Sequence, residues 1–141
     1  MAAVLPAVEA MLQSHPVRPA HADTISRCIE ACFGCVGTCT ACSDACLSER
    51  HVEEFLACIR VNLDCAAICN ATGAVVARSK AGASRQVLES QLTVCIAACR
   101  VCEDQCRRHA AMHEHCRVCA DACVSCAKAC TDMLAAFRQV V

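Results

Sequence analysis

The chain has 141 residues, enough for one domain with its own core, and its 13 basic and 14 acidic residues leave a net charge of -1. That near balance excludes a basic footprint for nucleic acid or an anionic membrane surface. Eighteen cysteines, three phenylalanines and no tryptophan or tyrosine exclude an ordinary aliphatic and aromatic core, since thiols must fill much of the interior.

Residues 1–22 are expected to form a short helix and a linker. Leu5, Val8 and Leu12 recur at helical spacing with Met11 beside them, and Pro16 and Pro19 stop any continuation. The opening MAAVLPAVEAMLQSHP has no basic run and carries Glu9 within its apolar stretch, so no secretory signal is read and a cytoplasmic location is expected. With no run of eighteen apolar residues, no membrane span is expected. Disulfides do not persist in a reducing cytosol, which turns a thiol-dense chain toward metal binding or redox chemistry.

Residues 23–141 read as an all-α, antiparallel four-helix bundle. In the first helix, 23–47 with Asp23 as its cap, Cys28, Cys32, Cys35, Cys39, Cys42 and Cys46 step by 4, 3, 4, 3 and 4. At about 100° per residue they fall within an arc of roughly 80°, so one helical face is made of sulfur. After a tight turn capped by Ser48, a second helix over 49–80 carries Cys58, Cys65 and Cys69 and stops at Gly82. Ser84 caps a third helix with Cys95, Cys99, Cys102 and Cys106. A break is expected near Ala110 on architectural grounds; with no Gly or Pro between Cys106 and Cys116, one continuous helix is the alternative. The fourth helix holds Cys116, Cys119, Cys123, Cys126 and Cys130. The repeated CxxxC and CxxC spacings suggest an internally duplicated hairpin, and small residues such as Gly34, Gly37, Ala31, Ala98 and Ala120 are expected to bring the helices close.

Antiparallel connectivity places His51, His109, Met112 and His113 at one end of the bundle beside Cys46, Cys58, Cys106 and Cys116. His and Met bind metals without a thiolate, so these four are candidate ligands of an access mouth. Ile25, Val76, Leu88, Leu92, Met133 and Phe137 continue the stripes at the opposite end as a hydrophobic plug. Asn62, four residues after Cys58, offers an amide oxygen to the lumen or serves as a hydrogen-bonded structural residue. His15, His21 and His115 are read as surface residues.

Thiols at i and i+4 have Cβ atoms about 6 Å apart and can approach one metal from two sides. Copper(I) is soft and favours thiolate, so a row of CxxxC pairs can hold many ions with shared sulfurs; a zinc site needs only four convergent ligands. Preformed helices supply such rows without ordering a coil, so the metal-free protein is expected to be folded.

These motifs, CxxxCxxCxxxCxxCxxxC at 28–46, the sparser row of Cys58, Cys65 and Cys69, CxxxCxxCxxxC at 95–106 and CxxCxxxCxxCxxxC at 116–130, resemble those of the bacterial copper storage proteins, over nearly all of 23–137. The resemblance implies cytosolic storage of many Cu(I) ions by the eighteen cysteines, a homotetramer and no turnover. A copper chaperone or small thiol carrier is the expected donor, with neither nucleic acid nor membrane as partner. Alternatives are an iron–sulfur electron carrier, for which continuous helical stripes are unsuited, a disulfide-stapled helical scaffold, which needs an oxidising compartment, and cysteine as a mere small hydrophobe. No stripe pairs a single activated cysteine with an oriented histidine and carboxylate, so an enzyme is not expected.

Overall fold

The computed structural model describes residues 6–79 and 84–139. Among these described residues five α-helices follow in order: α1 (Pro6–Gln13), α2 (Ala22–Leu47), α3 (Leu56–Ala77), α4 (Arg85–Arg107) and α5 (Glu114–Gln139), with a 3-10 turn, Val52–Phe55, leading into α3. Helices α2 to α5 form an up-down-up-down bundle. Its neighbouring pairs are α2 with α3, α3 with α4, α4 with α5 and α5 with α2, while diagonal helices face each other across the lumen. The reason lies in the cysteine stripes: each helix has one buriable face, and four such faces close on a common axis.

Local chemistry sets the ends of the helices, in places differently from the sequence expectation. Helix α2 starts one residue before Asp23, with His21 at the N-cap in a left-handed conformation, φ 60° and ψ 42°. Asp23 therefore lies in the first turn, where its charge favours the helix dipole, rather than at the cap. Ser48 closes α2 instead of opening α3: its backbone N–H donates to the carbonyls of Asp44 and Ala45, and its hydroxyl to Asp44. The second bundle helix accordingly begins at Leu56 rather than 49. The intervening 3-10 turn buries Phe55, and Val52 packs against the core. At the other end of α3 the helix runs to Ala77; the expected stop at Gly82 lies outside the described residues, as does Leu5. Ser84 caps α4 as expected, its hydroxyl accepting from the Val87 N–H.

The α4–α5 connection breaks without glycine or proline. His109 N–H donates to the Cys106 carbonyl, and the N–H groups of Met112 and His113 both donate to the His109 carbonyl, giving successive tight turns. A continuous helix would carry the Cys116–Cys130 stripe away from the lumen, so burial of five more thiols selects the reversal. On the surface beside this hairpin Arg107 pairs with Asp121 at 3.0 Å.

All eighteen cysteines are buried. Ile25, Val76, Leu88, Leu92 and Met133 are buried at one end of the thiol column, Phe137 packs against them, and Leu12 brings α1 onto the same core. Close helix approach comes from a glycine other than those expected. Gly34 and Gly37 face open space, whereas a Cβ on Gly73 would lie 2.9 to 3.1 Å from three atoms of the Phe33 ring, so it is Gly73 that lets α2 pack onto α3. The segment Val52–Ala77 is long and apolar enough to cross a membrane by composition, yet 44% of its most apolar 18-residue window is buried inside the bundle. Its Cys58, Asn62, Cys65, Cys69, Thr72 and Val76 side chains are buried within the fold.

Candidate metal centre

Each stripe places sulfurs on one helical face, and the four faces interleave them into a continuous column. Near the hydrophobic plug, Cys130 Sγ lies 3.9 Å from Cys28 Sγ and 3.8 Å from Cys32 Sγ. Further along, Cys69 Sγ is 3.8 Å from the sulfurs of Cys65, Cys95, Cys99 and Cys126. At the centre, Cys39 Sγ is 3.6 Å from Cys35, 3.7 Å from Cys119, 3.9 Å from Cys123 and 4.0 Å from Cys102. The Cys39–Cys102 and Cys69–Cys126 contacts span the diagonals of the bundle, so the lumen is filled with sulfur.

These separations are those of sulfurs around a common ion. Two sulfurs about 2.3 Å from one metal lie roughly 3.8 Å apart at a tetrahedral angle and roughly 4.0 Å apart in a trigonal arrangement. A disulfide needs about 2.05 Å, and all eighteen cysteines are free thiols. Cys32, Cys95, Cys126 and Cys130 form one four-donor group; Cys35, Cys65, Cys69 and Cys99 form another; Cys35, Cys39, Cys65 and Cys123 form a third; Cys39, Cys102, Cys119 and Cys123 a fourth. Within each group the donor atoms lie within 4.8 Å of one another. Cys35, Cys39, Cys65 and Cys123 each belong to two groups, so the column is a chain of overlapping sites.

Burial disfavours the thiolate. It pushes Cys46 up to about 11 and Cys116 up to about 12. Hydrogen bonding to neighbouring sulfurs, led by Cys126, Cys106 and Cys130 respectively, together with burial, also raises Cys69, Cys102 and Cys126. Hydrogen bonds from neighbouring thiols act the other way at five positions, lowering Cys28 to about 5, foremost through Cys130, and also lowering Cys35, Cys65, Cys95 and Cys119, foremost through Cys123, Cys102, Cys126 and Cys102. At the raised thiols, which are neutral, an entering cation displaces protons rather than adding charge.

Asn62 is fully buried within the column. Its Oδ1 accepts from the thiols of Cys119 at 2.9 Å and Cys102 at 3.1 Å, and its Nδ2 donates to Cys58 Sγ at 3.4 Å. It is the sole amide side chain buried against the sulfurs among the described residues, and it divides the central groups from those near the mouth.

At the mouth, Cys58 and Cys106 lie 3.6 Å apart. Beside them Phe55 packs in a tilted arrangement on His109 and edge-on to His113, with ring centroids at 4.5 and 4.9 Å, so the 3-10 turn lays an aromatic lid among the histidines. Burial foremost, and then the neighbouring His113, lowers the His109 pKa below the ordinary imidazole value. The other two predicted mouth residues stand apart from this cluster. His51 is 65% exposed and pairs with Glu53 at 3.7 Å, and Met112 is 84% exposed.

His115, expected at the surface, is instead half-buried with its Nδ1 3.5 Å from both Cys42 Sγ and Cys116 Sγ. With Cys42, Cys46 and Cys116 it completes a mixed nitrogen and sulfur group. Its position directly before Cys116 suggests the neighbouring face, yet at the first turn of α5 the ring can fold back under the end of the stripe. The usable signal was proximity to the break rather than stripe register. Glu49, unassigned from sequence, lies 2.5 Å from His113 Nδ1 and 3.3 Å from His115 Nε2. Its carboxyl is held below the usual range, foremost by the hydrogen bond with His115.

Fold and site together define a class: a four-helix bundle whose lumen is a preformed ladder of soft-metal sites. The chain belongs to the copper storage protein family (Csp), whose sequence profile matches residues 21–135. The structure of the copper storage protein Ccsp from Streptomyces lividans loaded with 10 copper equivalents is similar at a TM-score of 0.87 and 46% identity, covering 91% of this chain and 98% of that one. A cytosolic copper storage protein from Streptomyces lividans carrying five coppers is similar at a TM-score of 0.78 and 50% identity, over 80% of this chain and 93% of that one. An uncharacterised cysteine-rich protein, YhjQ, of Bacillus subtilis (strain 168) is 33% identical over 108 residues, 77% of this chain and 94% of that protein.

Proposed function

We propose that this chain is a cytosolic store for Cu(I), holding many ions through the thiolates of its eighteen cysteines, with no turnover of a substrate. The observation that carries this reading is the overlap of four-donor groups along one buried column. Shared sulfurs suit an ion that accepts two or three soft ligands and lets a thiolate bridge neighbours. Asn62 serves as an oxygen ligand or polar spacer in the lumen. Copper arrives at the histidine end, where His109 and His113 flank the column and the exposed His51 and Met112 offer outer ligands, delivered by a copper chaperone or a small thiol carrier.

Family resemblance favours a homotetramer. The apolar groove between α3 and α4, lined by Val61, Ile68, Val94 and Val101, is a face that such packing would cover. Anaerobic titration of the reduced protein with Cu(I) against a chromophoric chelator, in parallel with zinc, tests the storage reading. On the order of one copper per thiol is expected; saturation at one or two equivalents would refute it. Sedimentation equilibrium tests the assembly.

A further inference from the structure

We propose that Glu49 is a positioning residue that fixes the ring tautomers at the mouth, so that His115 presents the Nδ1 lone pair to an arriving soft cation. A neutral imidazole carries one N–H, and the partner of one nitrogen decides the state of the other. Glu49 Oε2 lies 3.3 Å from His115 Nε2. An ionised carboxylate has no hydrogen to give, so Nε2 is the donor, and in the neutral ring Nδ1 then carries the lone pair. That Nδ1 is the atom 3.5 Å from both Cys42 Sγ and Cys116 Sγ, within the four-donor group that Cys46 completes.

The same carboxylate oxygen lies 2.5 Å from His113 Nδ1, so a neutral His113 turns its N–H to that oxygen and leaves its Nε2 unprotonated. One carboxylate therefore orders two rings. It can do so because Glu49 sits in the turn just after α2, where its backbone N–H donates to the Cys46 carbonyl at 3.2 Å, while both histidines lie at the α4–α5 reversal. Glu49 is thus tied through its own backbone to one sulfur ligand of the group whose nitrogen it orients. A carboxylate behind a ligating histidine also makes the opposite nitrogen a better donor, and such partners change metal affinity or activity by about 10- to 100-fold.

This inference rests on the reading that the column takes up Cu(I), and the test separates the two. The reduced, copper-free, full-length protein, uniformly 15N-labelled, is compared as wild type, Glu49→Ala and Glu114→Ala, the last removing a neighbouring carboxylate that pairs with Arg117. Two-bond 15N–1H correlation of the histidine rings reads the tautomers, and stopped-flow transfer from a coloured Cu(I)–chelator complex reads loading. Wild type is expected to hold His115 as the Nε2–H form. Glu49→Ala should populate the Nδ1–H form as well and load roughly tenfold more slowly to the same final capacity, with Glu114→Ala unchanged in both. An unchanged tautomer or rate in Glu49→Ala, an equal slowing in Glu114→Ala, or loss of helical signal in Glu49→Ala, which would mark a structural staple, overturns the proposal. Failure of the wild type itself to take up many equivalents would instead overturn the storage reading.

Discussion

If sulfurs are shared between ions, cysteines differ in value according to where they sit in the column, and Cys39 and Cys28 provide the contrast. Cys39 lies within 4.0 Å of four other sulfurs and belongs to two four-donor groups. Cys28 sits at the plugged end, 3.9 Å from Cys130 Sγ and with Cys32 as its other hydrogen-bonding sulfur neighbour. Replacing either by alanine removes one buried sulfur, a loss comparable to a methylene and costing about 1 kcal/mol, so both variants should fold. Copper capacity should diverge. Cys39→Ala breaks two overlapping groups and is expected to lower the end point by about two ions, whereas Cys28→Ala should lower it by no more than about one. Anaerobic Cu(I) titration against a chelator gives the end points, and circular dichroism of the copper-free proteins confirms that the bundle is intact. Equal losses of one ion from each variant would mean that every thiol acts independently and would refute the shared-sulfur reasoning.

Most of the fold was legible because one signal, a thiol every third or fourth residue, determines both which face of a helix is buried and what that face can bind. Cys28 through Cys46 can close only against other sulfur faces, and the four stripes allow one arrangement with short connections. What escaped reading lies where register stops deciding. Phe55 stands in an irregular 3-10 turn, so no periodicity marked it for the mouth. His115 lies between two stripe positions, and its ring reaches the column because the first turn of a helix leaves room for a side chain to fold back beneath it. Glu49 became a ring partner only once two connections distant in sequence were brought together. Gly73 shows the same limit: a glycine's role depends on the residue opposite, here Phe33, which its own helix cannot reveal. Stripe chemistry is local and readable, while the mouth is assembled from turns.

Three further outcomes follow from the packing and the thiol chemistry. Leu92 is fully buried in the plug, so Leu92→Ala should destabilise the copper-free protein by about 2 to 5 kcal/mol in chemical denaturation while leaving copper capacity unchanged; a lowered capacity would mean that the plug shapes the sulfur sites. Gly73→Ala forces a methyl against the Phe33 ring and should cost about 1 to 3 kcal/mol, with Phe33→Ala in the same chain restoring part of that loss in a double-mutant cycle. The third outcome concerns pH. Burial raises the Cys46 and Cys116 thiols to about 11 and about 12, above their ordinary value near 9.0 in an unfolded chain, so between about 9 and 12 the folded state holds more protons than the unfolded one. Stability contributed by these neutral thiols is therefore complete below about pH 9 and is lost as pH rises toward 11 and 12. Thermal unfolding of the copper-free protein should show a falling midpoint across that window. The copper-loaded protein, whose sulfurs have already lost their protons to solvent on binding metal, should show a much flatter profile there. A midpoint in the copper-free protein that stays level from pH 9 to 11 would mean that Cys46 and Cys116 are already thiolates before copper arrives, and the proton release assigned to them on loading would have to be abandoned.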